Sequence, residues 1–179
     1  SRRSPGSNGG LESLQGERSE LLQLLKNRKF DVVLDFMAYT EADVISAFES
    51  IETKRYVLIS TTWLPRFAVV HLPNMPVLRS NFEFLKGLPT VTKTYLKGKA
   101  MAESAVHNIR STKSHATIVR LPVMTGPGDA TRRLDFYRTR ILDRGGLIMV
   151  NSASHKIQFA LSMDLACALG EWIENHEMM

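Results

Sequence analysis

A single α/β domain built on a parallel sheet is what this sequence predicts. Three observations carry that expectation. Apolar runs rich in β-branched residues read as strands: Phe30-Asp31-Val32-Val33-Leu34-Asp35-Phe36 as one buried on both faces, Arg55-Tyr56-Val57-Leu58-Ile59-Ser60 as a second buried strand and Ala116-Thr117-Ile118-Val119-Arg120-Leu121 as a third strand. Capped segments with helical periodicity lie between them, and strand–helix alternation at this spacing joins parallel strands. The chain has 179 residues, 44% hydrophobic and 23% charged, enough for one domain with a sizeable core.

In chain order, residues 1–10 are rich in Ser, Gly and Pro and read as a flexible end. Residues 11–15 are compatible with a short strand. Ser19-Glu20-Leu21-Leu22-Gln23-Leu24-Leu25-Lys26 has a capping serine, an early acid and a leucine face, so a short helix is expected there. After the strand over 30–36, Thr40-Glu41-Ala42-Asp43 caps a helix carrying Val44, Ile45, Ala47, Phe48 and Ile51. The strand over 55–60 follows. Residues 62–90, with prolines at 65, 73, 76 and 89, read as an irregular insertion, long for a compact domain. A helix is expected from about Tyr95 to Asn108, then the strand over 116–121 and a turn at Gly126-Pro127-Gly128-Asp129. A helix over 134–143, a strand Leu147-Ile148-Met149-Val150 and a last helix, capped by Ser162 or Asp164 and reaching about Asn175, complete the order.

Composition narrows the function classes. No apolar run is long enough to cross a membrane, and the polar N-terminus lacks a secretory core. Cys167 cannot form an internal disulfide. In the run Leu165-Ala166-Cys167-Ala168-Leu169 it reads as a small core residue, and a reducing, cytoplasmic compartment is expected. The net charge of +5 fits an anionic nucleotide ligand or a nucleic acid. The basic residues are scattered outside Arg132, Arg133, Arg138, Arg140 and Arg144. With no RNA-recognition motif and no zinc-finger spacing, a solvated basic surface is preferred over nucleic-acid binding, and no metal site is expected.

Candidate chemistry centres on Tyr95 and Lys99. Four residues apart on a helix, they share a face. A nearby ammonium favours phenolate, which brings proton transfer by a tyrosine closer to neutral pH. A surface tyrosine beside a solvated lysine fits the same spacing. In open α/β sheets ligands bind beyond the carboxyl ends of the strands. Those ends are Asp35-Phe36-Met37-Ala38-Tyr39, Ser60-Thr61-Thr62 and Leu121-Pro122-Val123-Met124-Thr125-Gly126-Pro127-Gly128-Asp129. Capping and turn formation account equally well for the hydroxyls and for Gly-Pro-Gly.

Taken together, these segments resemble the extended short-chain dehydrogenase/reductase family, the NAD-dependent epimerases and dehydratases of sugar nucleotides. Tyr95-Leu96-Lys97-Gly98-Lys99 resembles the family's Tyr-x-x-x-Lys. Ile59-Ser60-Thr61-Thr62 resembles the end of its Ser/Thr strand. Val119-Arg120-Leu121-Pro122 through Asp129 is similar to its Arg-x-Pro…Tyr-Gly-Pro-Gly segment, with Thr125 where tyrosine is common. Phe30 to Tyr39 resembles the fourth strand and its cofactor-side turn, and Ser162-Met163-Asp164-Leu165-Ala166 the later Val-x-Asp-Leu-Ala helix start.

The resemblance implies a Rossmann-like doubly wound sheet, NAD or NADP as cofactor and a nucleotide-sugar substrate. Tyr95 would be the general acid/base. Lys99 would lower its pKa and bind the nicotinamide ribose, and Thr61 would hold the reacting oxygen. Phe36, Met37, Ala38 and Ser60 would line the dinucleotide, with Pro122 and Val123 near the carboxamide. Thr62 and Arg133 would meet substrate, although a solvated helix-start arginine fits Arg133 as well. Homo-oligomerisation through the helices over 39–51 and 95–108 is also implied.

The family's opening strand and Gly-x-x-Gly-x-x-Gly turn have no counterpart here. The resemblance therefore implies a partial sheet lacking its first two strands, within an incomplete dinucleotide-binding domain over 11–179. Ser1-Arg2-Arg3 would be the tail of the second strand, and its arginines would favour NADP. Gly16-Glu17-Arg18 resembles the Gly-Asp-Arg near the adenine. The strand over 30–36 would keep an open edge, to be completed by a missing segment or a second chain. The alternative to an enzyme is a non-catalytic relative serving as a structural or binding subunit.

Overall fold

The computed structural model describes residues 12–64, 85–110, 115–143 and 158–175. The elements run α1 (Arg18–Leu24), β1 (Lys29–Asp35), α2 (Glu41–Ser50), β2 (Glu52–Thr61), α3 (Thr90–Arg110), β3 (His115–Leu121), β4 (Val123–Thr125), α4 (Arg133–Leu142), β5 (Phe159–Leu161) and α5 (Ser162–Asn175). The fold is mixed α/β. One sheet is parallel and three-stranded in the order β1-β2-β3, and β4-β5 form a second parallel pair.

The apolar runs become strands because a parallel sheet here is covered on both sides. In β2, Tyr56 and Leu58 face α2 and α3, packing with Val44, Ala47, Ala102, Ala105 and Val106. Val57 and Ile59 point the other way, toward Leu165 and Trp172 of α5. Arg55 ties that helix down by donating to the Ile173 carbonyl at 2.9 Å. β2 is central and buried from Tyr56 to Thr61. Among the described residues β1 pairs on one side only, as an edge strand; Val33 packs on one face and Val32 and Leu34 on the other, but only Asp35 is fully buried.

Several boundaries differ from expectation. Residues 12–15 are not a strand, and residue 11 lies outside the described residues. A strand needs a ladder partner for its backbone, and among the described residues none pairs with this segment. The first helix starts at Arg18, with the Glu17 N–H donating to Glu20 Oε2, so Ser19 is inside the helix and not its cap. Thr40 does cap α2: its hydroxyl accepts from the Asp43 N–H at 3.2 Å, and Asp43 Oδ2 accepts from the Thr40 N–H at 2.8 Å. α3 begins at Thr90, five residues before Tyr95, because the Pro89 carbonyl already accepts the first helical bond from the Lys93 N–H. Of the expected insertion, residues 65–84 lie outside the described residues, as does the expected strand over 147–150. β4 and β5, three residues each, are too short to show a period. Cys167 is exposed, not a core residue, because α5 turns Leu165 and Trp172 to the sheet and Cys167 away from it. Among the described residues no helix is long and apolar enough to cross a membrane.

Candidate functional site

The parallel register delivers three strand ends to one edge of the sheet. Asp35 of β1 lies opposite Leu58, while Ser60 and Thr61 of β2 pair with Arg120 and Leu121 of β3. The Thr62 N–H donates to the Leu121 carbonyl at 2.9 Å and closes that edge. α3 crosses behind it. Tyr95, Lys99 and Glu103 follow at four-residue spacing and so share one face.

Beyond these ends is a cavity of about 350 Å³ lined by Phe36, Tyr39, Ser60, Thr61, Trp63, Tyr95, Lys99, Pro122 and Val123, among others. Seven of the eleven residues picked out by sequence therefore meet at one cavity. Ala38 is fully buried beneath it and contributes its carbonyl. Met37 is exposed and lines a second cavity of about 610 Å³ beside β1, of which Phe36 and Tyr39 are also walls. Thr62 is exposed and outside the first cavity. Arg133 opens α4, and its side chain lies outside the described residues.

Tyr95 is half-buried and hydrogen-bonded to the Thr61 hydroxyl. Thr61 Oγ1 accepts the Trp63 N–H at 3.2 Å, which leaves its own proton for the Tyr95 oxygen. Burial pushes the Tyr95 phenol above its ordinary range. The Thr61 bond pulls it back in part, and the Tyr39 phenol adds a small upward push. The expected lowering of the Tyr95 pKa by Lys99 is not found: the phenol is raised, and burial, Thr61 and Tyr39 are what act on it. Lys99 is anchored on the backbone. Its Nζ donates to the Ala38 and Ile59 carbonyls, each at 2.8 Å, beneath the Tyr39 ring. Burial pushes the Lys99 ammonium below the usual lysine range, against the upward pull of Asp35, Asp43 and Glu103.

Two supporting networks escaped the sequence reading. The Arg120 guanidinium grips both oxygens of Glu103, at 2.8 and 2.6 Å, and donates to the Leu64 carbonyl at 3.2 Å. Glu103 is buried, and the i+4 step from Lys99 was the available signal. Asp35 accepts from Arg18 at 3.0 and 2.6 Å, from the Met37 and Ala38 N–H groups and from the Tyr56 hydroxyl at 2.7 Å. Arg18 therefore meets a carboxylate and the Asp43 carbonyl. No periodicity signals such a hub.

Ser60 Oγ is buried with no hydrogen-bond partner among the described residues, and Ser60 lines the cavity. Buried hydroxyls are normally paired, so this one is available to a ligand. Among the described residues no group of three or more His, Cys, Asp or Glu is placed to hold a metal ion. No protein-family model, curated protein or solved structure matches the chain.

Proposed function

We propose that the cavity is the proton-transfer half of an NAD(P)-dependent oxidoreductase or epimerase site of the short-chain dehydrogenase/reductase type. The observation that carries this reading is the Tyr95 phenol hydrogen-bonded to Thr61 at the carboxyl end of the sheet. The nicotinamide end of a dinucleotide fits the residues present, whereas the sequence holds no glycine turn for its pyrophosphate. The unpartnered Ser60 hydroxyl offers a polar contact, and Phe36 and Tyr39 line both cavities, so one elongated ligand would pass over them. Phe36, Met37, Ser60, Lys99, Pro122 and Val123 would hold it, and when bound it would supply or accept the hydride.

The chain's own residues handle the proton. With its pKa raised, Tyr95 is a phenol at neutral pH and acts first as an acid. It gives its proton to the substrate oxygen as a carbonyl is reduced to an alcohol. Thr61 donates to the phenolate left behind and stabilises it. In the reverse direction the phenolate takes the alcohol proton. A nucleotide sugar is the substrate class the resemblance supplies.

The experiment is fluorescence titration of the protein with NADH and NADPH, followed by turnover of wild type and Tyr95→Phe. Binding by the wild type and a variant that binds but does not turn over support the reading. Full activity in Tyr95→Phe would sink it.

A second reading, a binding subunit of a larger assembly, is favoured by the edge of β1, which is unpaired among the described residues, and the 610 Å³ cavity beside it. An added strand, from another segment or another chain, would pair with β1. Light scattering tests it. A monodisperse monomer of 179 residues with full nucleotide affinity excludes it.

A further inference from the structure

We infer that Tyr39 is a positioning residue whose ring closes the ammonium site of Lys99 and so fixes the Tyr95–Lys99 pair. Lys99 is 2% exposed, and a charge that deep must be met on every side. Two of its protons go to the Ala38 and Ile59 carbonyls. The face of Tyr39 lies over the same nitrogen, 4.6 Å from Nζ to the ring centroid, within the range where an aromatic quadrupole attracts a cation. Asp35, Asp43 and Glu103 attract the ammonium through space, and Arg18 repels it. The ring is therefore the third wall of the site.

Tyr39 is itself held from two directions. Its N–H donates to Asp43 Oδ2 at 2.9 Å, the carboxylate that also caps α2. Its carbonyl lies against Gly98 of α3. The same ring meets Tyr95, with centroids 6.1 Å apart and planes inclined by 54°. One side chain thus touches both members of the pair and stands where the two cavities adjoin. The catalytic use of Lys99 rests on the function proposed above, whereas the placement of its ammonium does not.

The placement is read without nucleotide or substrate, by reductive methylation with formaldehyde and borohydride and mass-spectrometric mapping of Lys99 against the exposed Lys97. Wild type and Tyr39→Phe should protect Lys99 equally, because the ring and not the hydroxyl faces the cation. Tyr39→Leu should raise the Lys99 rate roughly tenfold or more and leave Lys97 unchanged. Should the leucine variant fail to fold, phenylalanines carrying one, two and three ring fluorines at position 39 keep the shape and weaken the quadrupole stepwise. The Lys99 rate should then climb with each fluorine. Equal protection in Tyr39→Leu, or no trend along the fluorine series, overturns the inference. Because these readouts need no turnover, their failure is separable from an active Tyr95→Phe, which would overturn the oxidoreductase reading instead.

Discussion

Gly98 and Tyr39 meet backbone to backbone: a Cβ on residue 98 would run into the Tyr39 carbonyl oxygen. That contact lets the loop after β1 lie on α3, where Lys99 reaches the Ala38 carbonyl. Glycine inside a helix ordinarily costs about 1 kcal/mol against alanine. Here the sign should invert. Gly98→Ala is expected to destabilise by about 2 kcal/mol, because backbone atoms must separate. Thermal unfolding checks it, and a raised midpoint would contradict the contact.

Tyr95→Phe should lower turnover by roughly 10²- to 10⁴-fold while nucleotide affinity stays within about twofold. Reduction needs the phenol protonated, so the wild-type rate should be flat across neutral pH and fall as pH rises through the elevated Tyr95 pKa. Thr61→Val removes the bond that pulls this pKa down. Its alkaline limb should therefore move to higher pH in a pH–rate profile.

Ser60→Ala separates stability from binding. The hydroxyl has no partner to lose, so chemical denaturation should show a change within about 0.5 kcal/mol, or a slight gain. NADPH affinity should fall by roughly five- to tenfold if the hydroxyl contacts the ligand.

Asp35 should control stability in acid. Burial alone would raise its pKa, but the bonds from Arg18, Tyr56 and the Met37 N–H outweigh it and hold the carboxyl below its ordinary range. A depressed folded pKa contributes stability above the unfolded value, near pH 3.9, and loses it as pH falls through the folded value. Asp35→Asn should be about 3 kcal/mol less stable at pH 7, with a flatter dependence below about pH 4, in urea titrations at several pH values.

Glu103 and Arg120 should couple. Glu103→Gln takes the carboxylate from the Arg120 guanidinium and Arg120→Met takes the guanidinium from the buried Glu103 carboxylate, and each should cost about 3 kcal/mol. The double variant should be more stable than the sum of the two by over about 1 kcal/mol, as measured by equilibrium unfolding.

The strand–helix order, the Thr40 cap and the grouping of Thr61, Tyr95 and Lys99 were legible in the sequence. They rest on local periods, on capping chemistry and on the rule that parallel strands end together. The start of α3 was misjudged because the Pro89 carbonyl, not a side chain, accepts its first bond. β4 and β5 were invisible because each exists only through the other. Cys167 was misplaced because an apolar run does not say which face of a helix meets the sheet.

Local sequence is enough to place the hydroxyls at the strand ends and Tyr95 and Lys99 on one face of α3. The partners of each come from packing between distant segments. Lys99 bonds two carbonyls and lies under a ring because the loop after β1 packs on Gly98. Tyr95 is set by burial and by Thr61 because the fold brings the end of β2 against α3. Ser60 is left unpaired because β2 is buried at its carboxyl end. The physical reason is common to all three. Desolvation and long-range hydrogen bonds depend on neighbours far apart in the chain, and no local pattern encodes them.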